Sequence, residues 1–253
     1  MNPEQLISCA LDIGEQMLLS GAEVGRVEDS MRLICTAYGC TRVDAFTITS
    51  SIVVSLITAD GKHITQTRRI SSYKTDLTKL DKLNQLSREM CTKKPDLEVV
   101  HEKIKVIKNS KRYPLWFECI TYGAIAGAFT VFFGGSFADA GVSAIIGVVL
   151  RLIVYLNGIS KVNQVFSSLL SSFAMCFLAF LCVNNGFGES IDNIVIGNIM
   201  LLIPGVGLTN SLRDLISGDI MAGVLRLCEV ILIALSIAAG YILSALVIGG
   251  VGI

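Results

Sequence analysis

Residues 201–219 read LLIPGVGLTNSLRDLISGD, an apolar run that breaks at Pro204-Gly205 and continues into a polar stretch carrying Asn210, Arg213 and Asp214. Proline and glycine interrupt a helix and free backbone groups that lipid cannot solvate, so such a break persists in a membrane only against protein or a polar cavity. The stretch therefore predicts a polar path through a membrane protein.

The composition agrees with a membrane protein that carries a soluble domain. The chain has 253 residues, of which 52% are hydrophobic and 17% charged. Residues 1–113 hold 17 of the 21 Lys and Arg and 14 of the 21 Asp and Glu. We therefore expect a soluble domain over 1–112 and a transmembrane domain over 113–253. A net charge of zero gives no reason to expect a nucleic-acid partner.

The soluble half predicts an α+β domain. Alternating apolar residues lead up to Asp60-Gly61, and residues 63–70 follow, which is the pattern of a β-hairpin. Pro95 is expected at the first position of a final helix. Apolar residues at helical spacing predict further helices on both sides of these strands, over 5–19, 24–38 and, after Tyr73, 77–90.

The same residues argue against an enzyme. The two histidines, His63 and His101, neighbour neither a GxSxG motif nor a Cys-His arrangement, so a nucleophile with an aligned base is not expected. A GxxxxGK[ST] phosphate loop is absent from the sequence, which argues against ATP-driven pumping by this chain. We expect no cofactor, no metal site and no catalytic residue.

The second half predicts five membrane-spanning helices in a lipid bilayer, because five segments supply the roughly 20 apolar residues that about 30 Å of hydrocarbon requires. Positive charge before the first span, including Lys111 and Arg112, places the soluble domain in the cytoplasm. Lys161 and Arg213 in alternate loops agree, so the C-terminus is expected outside a plasma membrane. The predicted spans are 115–133, 140–157, 164–183, 191–208 and 220–248.

Polar residues inside or beside these spans are the candidate site residues, because each is costly in lipid unless it is paired or hydrated. Arg151 lies on the cytoplasmic side of its span's centre and can snorkel. Arg226 and Glu229 are three residues apart and can pair, either embedded or at the interface. Asn198 is either a site residue or a helix-packing amide. Small residues, including Gly123 and Gly127 in a GxxxG, predict close helix packing.

Several motifs in one order resemble the threonine/serine exporter (ThrE) family over essentially the whole chain. They are GEQMLLSGAEVGRVEDSMRLICTAYG (14–39), VDAFTITSSIVVSL (43–56), TQTRRI (65–70), TDLTKLDKLNQLSR (75–88) and PGVGLTNSLRDLISGD (204–219). By resemblance, Pro204, Gly205, Asn210, Arg213 and Asp214 fall in the family's membrane signature. Its N-terminal signature covers Glu15, Glu23, Arg26, Glu28 and Asp29.

The resemblance implies export of small polar metabolites, either threonine and serine or succinate-like dicarboxylates. Long members fuse two membrane halves, whereas this chain resembles the split, YjjP-like form, which implies a second, YjjB-like membrane subunit. A homo-oligomer stays open as the alternative assembly.

Two functions are therefore expected. In the first, a secondary exporter uses the broken fourth span and Asn198 near mid-membrane, Arg151 or Arg226 attracts a substrate carboxylate, and Asp214 or Glu229 couples to protons. The orientation predicted from the positive charges places residues 210–219 at the cytoplasmic face of the membrane, as an inner gate or docking surface. In the second, the chain is a regulatory or scaffold subunit without transport activity, whose soluble domain binds a cytosolic ligand.

Overall fold

The computed structural model describes residues 2–70, 75–110, 113–160 and 162–250 and divides into two compact units. The first unit contains Met1–Lys111 and Gly205–Cys228, and the second contains Arg112–Pro204 and Glu229–Ile253. Residues 205–228 therefore pack with the N-terminal elements, although they follow most of the apolar segments in sequence. Some residues used for the predictions above lie outside the described ranges: Tyr73, Lys111, Arg112 and Lys161.

In chain order the elements are α1 (Pro3–Leu19), α2 (Val24–Ala37), β1 (Arg42–Ile48), β2 (Ser51–Ile57), β3 (His63–Arg69), α3 (Leu77–Lys93), α4 (Leu97–Lys108), α5 (Leu115–Phe132), α6 (Phe137–Ile159), α7 (Gln164–Asn184), α8 (Ile191–Ile199), α9 (Gly205–Ser217) and α10 (Ile220–Gly250). The first unit holds α1–α4, the strands, α9 and the start of α10. The second holds α5–α8 and the rest of α10.

The N-terminal elements confirm the predicted α+β region. The Asn2 side chain accepts the Glu4 N–H and Pro3 stands at the start of α1, so this helix begins with a satisfied cap. The three strands form an antiparallel sheet in the order β1-β2-β3. Alternate residues of β2 are fully buried in the core that α1 and α2 share with the sheet: Ile52, Val54 and Leu56.

The predicted start of the last soluble helix was wrong by two residues. Asp96 is the N-cap of α4, with extended backbone angles, so the helix begins at Leu97 and not at Pro95. The carbonyl of Pro95 instead accepts the hydroxyl of Tyr38 at 2.6 Å. This bond ties the α3–α4 connection to the end of α2.

The second unit confirms the predicted close packing at small residues. A Cβ on Gly123 would lie 2.9 Å from the Ala144 carbonyl oxygen, so α5 and α6 approach too closely for a larger side chain. A Cβ on Gly240 would lie 2.5 Å from the Leu169 carbonyl oxygen. Beside it, the Ser172 hydroxyl donates to the Ile237 carbonyl at 2.7 Å and links α7 to α10.

Among the described residues, four helices are long and apolar enough to cross a membrane: α5, α6, α7 and the 220–248 part of α10. Five transmembrane helices were predicted, and the fourth, over 191–208, is not a single helix: it is interrupted, as Pro204-Gly205 indicated, and is not among these four. Helix α8 has nine residues and ends at Ile199. Tightened turns follow, in which Leu202 N–H bonds to the Ile199 carbonyl, and α9 begins only after Pro204. Proline lacks the N–H that would continue the helix.

Candidate functional site

Four polar side chains of α9 and α10 hold the loop between α1 and α2. We call them the loop clasp: Asn210, Arg213 and Asp214 on α9, and Arg226 on α10. They contact four consecutive residues, 21–24, and all of these positions belong to the first unit. The structure therefore brings together four of the site residues predicted from the sequence.

Two clasp residues bind backbone carbonyls at the start of this loop. Asn210 Nδ2 donates to the Gly21 carbonyl at 2.8 Å, and Arg226 donates to the Ala22 carbonyl at 3.3 Å. Gly21 has a φ of +96°, in the left-handed region that favours glycine. In this backbone conformation, the carbonyls of Gly21 and Ala22 after the end of α1 accept hydrogen bonds from side chains of α9 and α10.

Asp214 caps α2 from another part of the chain. The N-cap residue, Glu23, forms no side-chain cap bond, and Asp214 Oδ1 accepts the Val24 N–H at 3.1 Å instead. A carboxylate at this position also benefits from the positive end of the helix dipole. The Glu23 side chain forms an ion pair with Arg213, whose side chain is half exposed.

The charge of Asp214 is buried and paired. Its side chain is 2% exposed, and Oδ2 lies 3.6 Å from the Arg226 guanidinium, which is 8% exposed. Burial raises the pKa of Asp214, and nearby Asp219 and Glu23 add to that effect, while the Val24 N–H and Arg226 oppose it. This ion pair joins α9 to α10 within the loop clasp, and both of its members also bind the loop: Asp214 accepts the Val24 N–H, and Arg226 donates to the Ala22 carbonyl.

Glu28 on α2 is influenced by the charge of Asp219, which lies between α9 and α10. Its carboxylate accepts the Thr47 N–H at 2.6 Å, which joins α2 to β1. Burial, with smaller contributions from the negative charges of Asp219 and Asp29, raises the pKa of Glu28 to about 7, although the Thr47 N–H bond opposes the shift. Glu28 therefore titrates near neutral pH.

The second unit contains a separate buried polar network at the end of α8. Asn198 on α8 is fully buried, and its Nδ2 donates to the Ser143 hydroxyl at 2.7 Å and to the Ile194 carbonyl at 3.0 Å. The hydroxyls of Ser143 on α6 and Thr130 on α5 are hydrogen-bonded at 2.7 Å. Among the described residues, Asn198 Oδ1 has no hydrogen-bond partner.

This network depends on close approach of α8 to α5. A Cβ on Gly197 would lie 2.1 Å from Thr130 Oγ1 and 2.9 Å from the Thr130 backbone nitrogen. Only glycine fits between these helices. Asn198 is thereby held one residue before α8 ends at Ile199, while Pro204 directly precedes the next helix, which begins at Gly205.

The remaining predicted site residues have different environments. Arg151 on α6 forms an ion pair with Glu118 on α5, and both side chains are partly buried. The Arg151 guanidinium also lies 5.7 Å from the centre of the Tyr122 ring. Glu229 is exposed on α10. Within the described ranges, no group of three or more His, Cys, Asp or Glu side chains is arranged to hold a metal ion.

Comparison with known proteins identifies the family. A family model described as "Putative threonine/serine exporter" matches residues 8–249. The chain belongs to the ThrE family. This is a family of transporters and not of enzymes.

Two ThrE relatives are similar to the chain at low identity. A "Probable threonine/serine exporter" of Mycobacterium tuberculosis is 23% identical over 250 residues, which cover 96% of this chain and 46% of the relative. A "Probable succinate transporter subunit YjjP" of Klebsiella aerogenes is 24% identical over 239 residues, which cover 94% of this chain and 90% of the relative. The chain thus spans about half the length of the first and most of the second. No solved structure matches it.

Sequence reasoning missed the partners of two candidate site residues, Asn198 and Arg226. Asn198 was singled out as a buried amide, but Ser143 and Thr130 were not, because they lie more than 50 residues away in sequence. The spacing of Arg226 and Glu229 allowed an ion pair on one helix, and the structure gives Arg226 an ion pair with Asp214 on α9. The loop at residues 21–24 carried a usable signal, since Gly21 precedes a helix whose N-cap residue is Glu23 and not one of the preferred Ser, Thr, Asp or Asn.

Proposed function

We propose that this chain is a subunit of a secondary-active exporter of small polar metabolites that carry a carboxylate. Threonine, serine and a succinate-like dicarboxylate are the candidate substrates, and a YjjB-like membrane subunit is the proposed partner. The observation that carries the proposal is the broken span, whose last helical turn holds a fully buried amide with an unpaired oxygen. Membership of the ThrE family and the names of the two relatives support it.

In this proposal the substrate passes the end of α8. Irregular backbone at membrane depth is tolerated where it is enclosed by protein or lines a polar path, and transporters use such discontinuous helices at their substrate sites. Asn198 supplies the polar contact, and Pro204 keeps the helix interrupted. Arg151 is the proposed attraction for a substrate carboxylate, which requires exchange of its Glu118 partner for the substrate.

The loop clasp has a different role in the proposal. Asn210, Arg213, Asp214 and Arg226 already bind one another or the 21–24 loop, so we assign them to gating and not to direct substrate contact. By gating we mean that movement of the N-terminal elements is transmitted to α9, the helix directly after the break. Asp214 remains the candidate for proton coupling because its buried carboxylate is held by only one cation within the clasp, Arg226.

We further propose that the N-terminal domain is cytoplasmic and the C-terminus is outside the plasma membrane.

Nine residues of α8 extend about 14 Å at 1.5 Å per residue, which is less than half of the hydrocarbon thickness. The proposed fourth crossing is therefore partly non-helical. Residues 200–204, which follow α8 in the second unit, continue it.

A regulatory subunit without transport activity is the second candidate. The clasp favours it, because its four residues, three of them in the family's membrane signature, contact a loop of the N-terminal elements and none of those contacts needs a substrate. In that case the first unit binds a cytosolic ligand and changes the activity of a partner.

Flux measurements distinguish the two candidates. The full chain is reconstituted alone and with its proposed YjjB-like partner in vesicles loaded with labelled serine, threonine or succinate. Efflux that requires both proteins supports the two-subunit exporter, and efflux from the chain alone supports a homo-oligomer. Absence of efflux of all three compounds from both preparations contradicts the exporter and favours the regulatory subunit.

Variants test the proposed carboxylate contact. Arg151→Met is expected to lower efflux at least about 10-fold, since a charged hydrogen bond to the substrate is lost. Arg42→Met is the matched control, because it removes an arginine on β1 that has no role in the proposal and whose side chain is 68% exposed. Equal efflux by the wild type and Arg151→Met contradicts the role of Arg151.

A further inference from the structure

The orientation of the Asn198 amide is fixed by its neighbours. The Ile194 carbonyl can only accept a hydrogen bond, so the amide nitrogen must face it at 3.0 Å. The second amide proton is donated to the Ser143 hydroxyl at 2.7 Å. Both donors of the side chain are therefore used, and the group left over is the carbonyl oxygen, Oδ1.

This oxygen differs from the other unpaired buried groups of the second unit. Within its described part, the hydroxyls of Ser171 and Ser244 are also buried without a partner. A hydroxyl can rotate and either donate or accept, whereas an amide oxygen only accepts. Asn198 thus offers a ligand one kind of contact, to an N–H or O–H donor.

We infer that Asn198 Oδ1 is a specificity-determining acceptor that binds an ammonium or hydroxyl donor of the transported molecule. The inference rests on the proposed export function and deepens it. A substrate with only ionised carboxylates presents acceptors, and it leaves the buried oxygen unpaired beside another oxygen. Amino acids and hydroxy acids are therefore the substrate class, and a fully ionised dicarboxylate is discriminated against.

The size of the discrimination follows from the cost of an unpaired buried group. Sites built to pair with a substrate hydroxyl or amine reject analogues that lack it, because the polar group of the site is left unsatisfied. We expect donor-bearing substrates to be preferred over succinate by about 10-fold or more at neutral pH. The Asn198→Leu variant, which keeps a similar volume and removes the acceptor, is expected to lose this preference.

Four small acids of similar size separate the possible donors. Threonine carries an amine and a hydroxyl, 2-aminobutyrate carries the amine alone, 3-hydroxybutyrate carries the hydroxyl alone, and succinate carries neither when ionised. Binding of each to the purified full chain with its partner is measured by thermal stabilisation, and efflux of each is measured in vesicles. The set identifies which donor the acceptor binds.

Two variants serve as controls. Ser143→Ala removes a partner of the amide nitrogen but leaves Oδ1 and the Ile194 contact, so it is expected to lower stability and keep the preference. Asn198→Asp keeps an acceptor oxygen but loses the amide donors to Ser143 and to the Ile194 carbonyl, so it is expected to lower stability while keeping the preference for the amine. It also preserves the test if Asn198→Leu does not fold.

Each outcome decides the inference. Preference for donor-bearing compounds in the wild type, loss of that preference in Asn198→Leu, and its retention in Ser143→Ala support it. Equal or better binding of succinate, or an unchanged preference in Asn198→Leu, overturns it. Efflux of none of the probes contradicts the proposed function, while the binding measurement still decides the role of Asn198; binding of none overturns the inference as well.

Discussion

Removing the Asp214 carboxylate is expected to loosen the start of α2. The Asp214→Ala change leaves the buried Arg226 guanidinium without the carboxylate at 3.6 Å, and it leaves the Val24 N–H without the acceptor at 3.1 Å. The Glu23 side chain forms no cap bond that would replace it. The perturbation therefore affects one buried ion pair and one helix cap together.

The magnitude follows from these two losses. Breaking a buried ion pair by removing one partner costs about 3–5 kcal/mol, and loss of a cap costs about 1 kcal/mol. Arg226 keeps its bond to the Ala22 carbonyl, so the lower end of the first range applies. The sum, about 4 kcal/mol, corresponds to an increase of nearly 1000-fold in the local opening equilibrium.

Amide hydrogen exchange on the full chain in lipid nanodiscs measures this opening. Peptides covering residues 22–28 are expected to exchange about 100- to 1000-fold faster in Asp214→Ala than in the wild type. Arg213→Ala is the matched control. It removes an ion pair whose arginine is 53% exposed, so its effect is expected to stay below about 10-fold.

Two results would refute this reasoning. Exchange in Asp214→Ala within about threefold of the wild type would show that Asp214 does not hold α2. An equal increase in exchange in Arg213→Ala would show that loss of any nearby charge, and not loss of the buried Asp214–Arg226 pair, opens residues 22–28. Asp214→Asn, which keeps an acceptor for the Val24 N–H but loses the charge, is expected to fall between the wild type and Asp214→Ala.

Three further predictions concern pH, packing and orientation. The pKa of Glu28 is raised from 4.5 to about 7, so between these pH values the folded state holds a proton that the unfolded state releases. The free energy of unfolding of the first unit is therefore expected to fall as pH rises through that interval. In thermal denaturation, Glu28→Gln is expected to flatten this dependence. Gly197→Ala places a Cβ 2.1 Å from the Thr130 hydroxyl oxygen and is expected to lower the free energy of unfolding, measured in nanodiscs, by about 1–3 kcal/mol. The control is Gly141→Ala, whose Cβ meets no described atom within 4 Å, and it is expected to lower this free energy by less than about 0.5 kcal/mol. In a cysteine-free background, Phe187→Cys is expected to react with an impermeant thiol reagent in intact cells and Ser217→Cys only after permeabilisation; the reverse pattern contradicts the proposed topology.

Local patterns in the sequence were sufficient for most of the first unit. Helical spacing predicts α1, α2 and α3, and the alternation through Ile52, Val54 and Leu56 predicts the buried face of β2, because each pattern reports burial along one element. Pro95 was misplaced because proline is also compatible with the extended residue before an N-cap. The choice between these positions depends on the contact with Tyr38, which spacing does not reveal.

Contacts between distant residues were the part that local reasoning could not supply. A hydropathy window over 191–208 averages across the break and predicts one helix, although Pro204 already indicates an interruption. Asn198 stands out as an amide in an apolar run, but its role depends on Ser143 and Ile194, which decide which of its atoms remains unpaired. Spacing along α10 likewise suggested a neighbour for Arg226, whereas packing supplied Asp214.

The first unit is formed by two separate parts of the chain, so during biosynthesis it is completed only after the second part has been made. Gly21 and Arg226 are separated by about 200 residues, so at about 5–20 residues per second the ribosome needs roughly 10–40 s to make the second after the first. Throughout that interval α2 lacks its cap from Asp214, while the helices of the second unit are being synthesised. The N-terminal elements are therefore expected to reach full stability only after α9 has been made, and a fragment ending before residue 205 should remain open to proteases at the 21–24 loop.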